Sequence, residues 1–225
     1  MSINKESYFV TRNAKLATIS NREAMGEREI QTLLIMLQAK SAGYELKGKS
    51  LIDLGCGDQY IRQAVEKHGA SYRGIDINEC DLEIDALPIS AESTDIVVCL
   101  ALIEHLSDPG NLIKEVKRVL KAGGILWLST PDIQACREKF WNDPTHVRPY
   151  TRSSLRSLLD MHFFADIIVT PNYRCKPKTY YADTKFNFFR ARHLMPFSGV
   201  STLPVPSFLK GGCTGLFALG SKRGQ

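Results

Sequence analysis

The sequence predicts an α/β protein in which a largely parallel sheet carries helices on both faces. Three observations point there. Short apolar runs alternate with amphipathic stretches from residue 23 to residue 170. The run from Ile96 to Ile103 is apolar without interruption, as a strand buried on both faces requires. The first strand runs straight into a glycine turn that opens a helix, in "LIDLGCGDQY" at 51–60.

The elements follow in order. Ile30, Leu33, Leu34 and Leu37 recur at helical spacing, so 23–42 reads as an amphipathic helix ended by Gly43. Ser50–Leu54 reads as a buried strand, Tyr60–His68 as a helix and Ser71–Ile75 as a second strand ending at Asp76. Leu82–Ile84 reads as a short third strand ending at Asp85, with Pro88 punctuating the loop beyond it. Residues 94–102 form the fourth strand. The helix Asn111–Leu120 presents Leu112, Val116, Val119 and Leu120 on one face. Gly123 and Gly124 then turn the chain into a fifth strand, Ile125–Ser129. Arg152–Met161 is a helix, Ala165–Thr170 a sixth strand, and 213–222 a final strand.

Composition narrows the class. The chain has 225 residues, 44% hydrophobic and 24% charged, which suits one soluble globular domain. The longest apolar run falls far short of the roughly 20 residues of a membrane span. The N-terminus, "MSINKESYFV", lacks the basic-then-apolar pattern of a signal peptide. Cys56, Cys80, Cys99, Cys136, Cys175 and Cys213 are scattered with no C-x-x-C pair. They read as reduced thiols of a cytoplasmic protein rather than as a disulfide frame or a zinc site. The net charge of +5 is mild, and no nucleic-acid partner is expected.

The glycine turn asks for a particular cofactor. Gly55 and Gly57 let backbone approach a ligand closely. A pyrophosphate there would want no anions nearby. Yet Asp53 and Asp58 flank the turn, and 51–61 contains no Lys or Arg. Carboxylates in that position suit a cationic cofactor, and S-adenosylmethionine (SAM) carries a sulfonium and an ammonium with no phosphate. Asp76, at the end of the second strand, stands where a Rossmann-like sheet puts an acid on ribose hydroxyls. That acid serves a nicotinamide cofactor equally well; the loop charge favours SAM.

Four segments, "LIDLGCGDQY", "YRGIDIN", "IDALPISAESTDIVVCLALIEHLSDP" and "EVKRVLKAGGILWLSTPD", resemble in order the motifs of class I SAM-dependent methyltransferases. The resemblance covers roughly residues 50–170 and is specific as an ordered set. It implies a Rossmann-like seven-stranded sheet, mostly parallel with an antiparallel last strand. It implies that Gly55, Cys56 and Gly57 supply loop backbone, with Asp53 beneath helping to fix the methionine ammonium. It further implies Asp76 on the ribose, Ile77 against the adenine, Asp85 before Ala86 on the adenine amino group, and Leu100 and Ala101 along the methionine end. Gln59 departs from the pattern, since many members carry a third glycine there. The divisions expected are an N-terminal helical cap over 1–48, a SAM-binding core over 49–171, a lid-like insertion over 172–212, and the last strand and tail over 213–225.

Ligands in open parallel sheets lie beyond the carboxyl ends of the strands, so acceptor groups are expected on the loops after strands four and five. His146, in "WNDPTHVRPYT", is the candidate general base for a hydroxyl acceptor, with Trp141, Arg148 and Tyr150 as acceptor contacts. His105, in the E-H pair that the family carries with unrelated substrates, reads as structural. No metal is expected. Some relatives hold a divalent ion with E-x-x-E-H and a further His, but Ala101 replaces the first Glu, leaving Glu104, His105 and His146 as the alternative set.

Residues 172–212 carry Arg174, Lys176, Lys178, Lys185, Arg190, Arg192 and Lys210 against Asp183 alone, interleaved with tyrosines and phenylalanines. A short helix is expected over 184–195. A basic, aromatic insertion suits a lid over an anionic or glycan-like acceptor, with Arg190 and Arg192 as contacts, or a docking face for an anionic membrane surface. Together with the 143–151 loop it resembles methyltransferases of polysaccharide and secondary-metabolite pathways. The function expected is transfer of a methyl group from SAM to a small-molecule or saccharide acceptor at a hydroxyl. The alternatives are a nicotinamide-dependent oxidoreductase and a non-catalytic module on the same fold.

Overall fold

The computed structural model describes residues 22–172, 197–198, 210–211 and 214–224. Of the expected lid over 172–212, only residues 172, 197–198 and 210–211 are described; the expected 184–195 helix, with Arg190 and Arg192, lies outside these residues, as does the chain before Arg22. The first helix described, α1 (Arg22–Lys40), buries Gly26, Glu29, Ile30, Leu33, Met36 and Leu37 along one face. The next elements are β1 (Ser50–Leu54), α2 (Arg62–Lys67), β2 (Ser71–Ile75) and β3 (Thr94–Leu100). Then come α3 (Gly110–Val119), β4 (Leu120–Pro131), α4 (Ile133–Cys136), α5 (Arg152–Met161) and β5 (Phe164–Pro171). Two-residue strands β6 (Phe197–Ser198) and β7 (Lys210–Gly211) pair with each other, and β8 (Gly215–Lys222) closes the order.

The main sheet runs β2-β1-β3-β4-β8-β5. β1 pairs in parallel with β2 and β3, and β3 with β4, while β8 runs antiparallel between β4 and β5. Six strands therefore form the sheet among the described residues, not seven. The expected strand Leu82–Ile84 is a turn, tied by the Ile84 and Asp85 amides to the Asp81 carbonyl. Its apolar residues mark burial of Leu82 in a loop, not pairing. A second correction concerns the start of β4. Thr94 pairs with Leu120 but Ile96 with Ile125, so Lys121–Gly124 bulge out within a longer strand instead of separating helix from strand. Gly123 sits at φ +74° in that bulge, a conformation that suits glycine.

Strand alternation divides the core. Ile52, Leu54, Val97, Cys99, Leu126 and Leu128 face α3 and α5, with Leu112, Val116, Leu155 and Leu159 packed against them. Leu51, Ile96, Val98, Ile125 and Trp127 face α1 and α2, and Trp127 stacks on Phe217 of β8 with ring centroids 5.0 Å apart. The α5 helix starts at a capping box between Thr151 and Ser154. Strand order reverses direction between β1 and β3, where open α/β sheets form their ligand crevice.

Candidate active site

At that point the turn after β1 and the turn after β3 approach each other. Gly55 has φ +69°, so a side chain there would be strained, and its Cβ would lie 2.9 Å from Cδ1 of Leu102, which would have to shift. The Gly55 and Cys56 amides donate to the Ile75 carbonyl, drawing the loop over the end of β2. Asp76 then binds the loop directly. Its Oδ2 accepts the Gly57 amide at 2.6 Å and its Oδ1 accepts the Ile77 amide at 2.7 Å.

Around these turns lies a cleft of about 390 Å³, a size usual for small-ligand sites. Gly55, Cys56, Gly57, Asp76, Ile77, Leu100 and Ala101 line it. Asp53, Asp85 and Ala86 do not. Asp53 is 2% exposed beneath the loop, and Tyr72 donates its hydroxyl to Asp53 Oδ2 at 2.8 Å. Burial pushes the Asp53 carboxyl up to about 7, against the lowering effect of the Tyr72 hydrogen bond and with Asp76 and Asp58 adding to the rise. The Asp85 carboxylate accepts the Asp81 amide, and Asp81 and Leu82 supply the cleft wall instead. The Cys56 thiol is pushed up to about 12 by burial and by the neighbouring carboxylates, so it is no thiolate nucleophile.

Sequence reasoning missed the contribution of α1. Arg22, Met25 and Glu29 line the same cleft, together with Tyr60. Arg22 makes a bidentate pair with Asp58 and lies 4.5 Å from the Tyr60 ring centroid. The glycine loop is therefore less negative than its local sequence implies, because a guanidinium 36 residues away in sequence neutralises one of its carboxylates. The helical period of α1 signals a buried face but not which cleft that face meets. Even so, the wall remains acidic. Glu29, Asp58, Asp76, Asp81 and Glu83 line it against Arg22 as the one fixed cation among the described residues.

The acceptor side also differs from expectation. His105, at the inner wall, lines the cleft; His146 does not. The two rings lie 4.8 Å apart, with His146 behind and packed 4.5 Å from Phe140. His146 Nδ1 lies 2.7 Å from the Phe140 carbonyl, so Nδ1 donates. The loop bearing His146 is pinned by the Val147 and Arg148 amides, which both donate to the Glu104 carbonyl. Trp141 is 55% exposed, whereas Tyr150 is 3% exposed inside the core and pairs with Asp132. The expectation of an open acceptor contact at Tyr150 is corrected to a scaffold role, because its ring fills the core under α5. Glu104, His105 and His146 each offer a ligand atom within 4.8 Å of the others, so the alternative metal set is assembled in space. Thr130 donates to Glu104 Oε2 within it. Cys56, Cys80, Cys99 and Cys136 are free and buried. Among the described residues no helix is long and apolar enough to cross a membrane.

Known proteins agree with this architecture. A family model described as a methyltransferase domain matches residues 26–165. The chain is 34% identical over 104 residues to a ubiquinone biosynthesis O-methyltransferase of Coxiella burnetii, covering 38% of this chain and 44% of that one. It is 34% identical over 105 residues to the protein of the same name from Pseudomonas aeruginosa, covering 38% and 45%. The chain thus spans less than half the length of these relatives. A SAM-dependent methyltransferase from Archaeoglobus fulgidus superposes with a TM-score of 0.58 at 17% identity, over 85% of this chain and 94% of that one, a likeness of fold.

Proposed function

The chain belongs to the methyltransferase-domain family, that of the SAM-dependent methyltransferases, and from that premise we propose that it moves a methyl group from SAM to a hydroxyl of a small-molecule acceptor. One observation carries the reading. The cleft at the β1/β3 switch point combines a tight glycine loop with an acidic wall and, among the described residues, a single arginine already paired with Asp58. Such a wall repels a pyrophosphate and favours a sulfonium and an ammonium. The relatives' names, which specify O-methyl transfer, support a hydroxyl acceptor.

When bound, SAM would supply a methyl on a positively charged sulfur, and its transfer to an acceptor oxygen would return the carbon–sulfur electron pair to sulfur and leave S-adenosylhomocysteine. The chain's task is to align and to take a proton. Asp76, held by the Gly57 and Ile77 amides, would hold the ribose hydroxyls with its remaining lone pairs. Leu100, Ala101 and Leu102 form an apolar stretch of the cleft wall. We assign the acceptor's proton to His105 rather than His146, because His105 is the histidine on the cleft wall. Trp141, Arg148 and, beyond the described residues, Arg190 and Arg192 are the acceptor-side contacts in this reading, for a saccharide or phenolic acceptor alike. A cytoplasmic site of action fits the free buried cysteines.

Calorimetric titration with SAM, S-adenosylhomocysteine and the nicotinamide cofactors tests the reading. Binding of the first two alone is expected, followed by a gain of one methyl mass on a hydroxyl acceptor from a phenol and saccharide panel. Tight nicotinamide binding without SAM binding would replace it with the oxidoreductase alternative.

A further inference from the structure

The loop after α4 carries a hydrogen-bonded relay that ends on His105. Asp143 Oδ1 receives two donors from Thr145, the backbone amide at 3.0 Å and the hydroxyl at 2.6 Å. The second is as short as a hydroxyl–carboxylate bond becomes. A threonine hydroxyl has one proton, and a carboxylate only accepts. The Thr145 proton therefore lies toward Asp143, and the hydroxyl's lone pair lies toward His105 Nδ1, 2.9 Å away. The Thr145 carbonyl, which also only accepts, lies 3.2 Å from the same nitrogen. Two separate acceptors thus face one ring nitrogen.

We propose that Asp143 and Thr145 are positioning residues that hold His105 as the Nδ1–H tautomer, leaving Nε2, itself buried, as the basic nitrogen of the ring. The inference rests on the methyl-transfer reading for its chemistry, but the tautomer itself follows from the acceptors around Nδ1. The arrangement is a carboxylate–hydroxyl–imidazole chain in which the carboxylate acts through an intervening side chain. It orients the ring and stabilises the imidazolium that forms when Nε2 gains a proton. The same contacts explain why the 143–148 loop is pinned to the Glu104 carbonyl: a shift of the loop would carry Thr145 off the ring. Nothing in the local sequence shows the relay, because Thr145 meets His105 across 40 residues.

The test is nitrogen NMR of the full chain with 15N-labelled histidine, with the His105 signals assigned by their loss in His105→Gln. At pH above the titration of the ring, the wild type should show a protonated Nδ1 and a bare Nε2. A proton on Nε2 overturns the inference. Thr145→Ser should keep the wild-type Nδ1 signal, and Thr145→Val should shift it as the hydroxyl acceptor is lost; an unchanged signal in Thr145→Val removes Thr145 from the assignment. With an acceptor in hand, Thr145→Val should lower kcat roughly 10-fold, a part of the 10²–10⁴-fold that a whole general base supplies, with SAM affinity unchanged. Thr145→Ser should restore it. A wild-type chain that binds neither SAM nor S-adenosylhomocysteine sinks the methyl-transfer reading whatever the tautomer. Binding together with an Nε2–H tautomer sinks this inference alone.

Discussion

The carboxylate of Asp76 accepts the Gly57 amide at 2.6 Å, which locks the glycine loop after β1 to the end of β2. One side chain thus shapes the loop, and in the proposed function the same carboxylate would meet the ribose. Asp76→Ala should weaken SAM binding by about 1.5–3 kcal/mol, since a charged acceptor and its hydrogen bonds are lost. Asp76→Asn, which keeps an acceptor, should fall between. Unchanged affinity by calorimetry would mean that the ribose sits elsewhere.

Asp53 should make stability depend on pH. Burial raises its folded carboxyl to about 7, above an ordinary carboxylate, so the folded chain binds the extra proton. The associated stability is present below about pH 4 and is lost as pH rises through about 7. Asp53→Asn keeps an acceptor for the Tyr72 hydroxyl and removes the buried charge. It should be more stable than wild type at pH 8 by on the order of 1–3 kcal/mol, with the gap closing at pH 4. Urea midpoints at the two pH values decide; a gap that does not change with pH would place the titration on another group.

Gln59 occupies a left-handed conformation, φ +56°, at the position where many family members carry a third glycine. The conformation costs a side chain about 1–2 kcal/mol, and glycine's extra unfolded-state freedom costs about 0.5–1 kcal/mol. Gln59→Gly should therefore stabilise the chain by roughly 0.5–1 kcal/mol and leave SAM affinity intact. A lower unfolding midpoint would show that the Gln59 side chain, which accepts from Arg62, matters more than the backbone strain.

Dialysis against a strong chelator should leave turnover unchanged. Ala101 stands where the metal-binding relatives place their first carboxylate, and Thr130 already holds an oxygen of Glu104. Loss of turnover restored by zinc or magnesium would make the Glu104, His105 and His146 cluster a metal centre instead.

Much of this fold is legible residue by residue. Ser50–Leu54, Ser71–Ile75 and Arg152–Met161 occupy the spans their patterns imply, because a two-residue or 3.6-residue period is a local property of the chain. The glycine turn and the acid at the end of β2 are legible for the same reason, each being set by its immediate neighbours. Other features depend on what meets what. Leu82–Ile84 carries strand-like residues but finds no partner strand, since pairing needs a neighbour at the sheet edge. Tyr150 lies in a loop rich in polar side chains, yet its ring is swallowed by the core. Arg22 reaches Asp58, and Thr145 reaches His105, only after distant segments fold together. Periodicity fixes which face of an element is buried. Charge neutralisation, burial of one aromatic rather than another, and the tautomer of a histidine follow from contacts across the chain, which only the packed structure supplies.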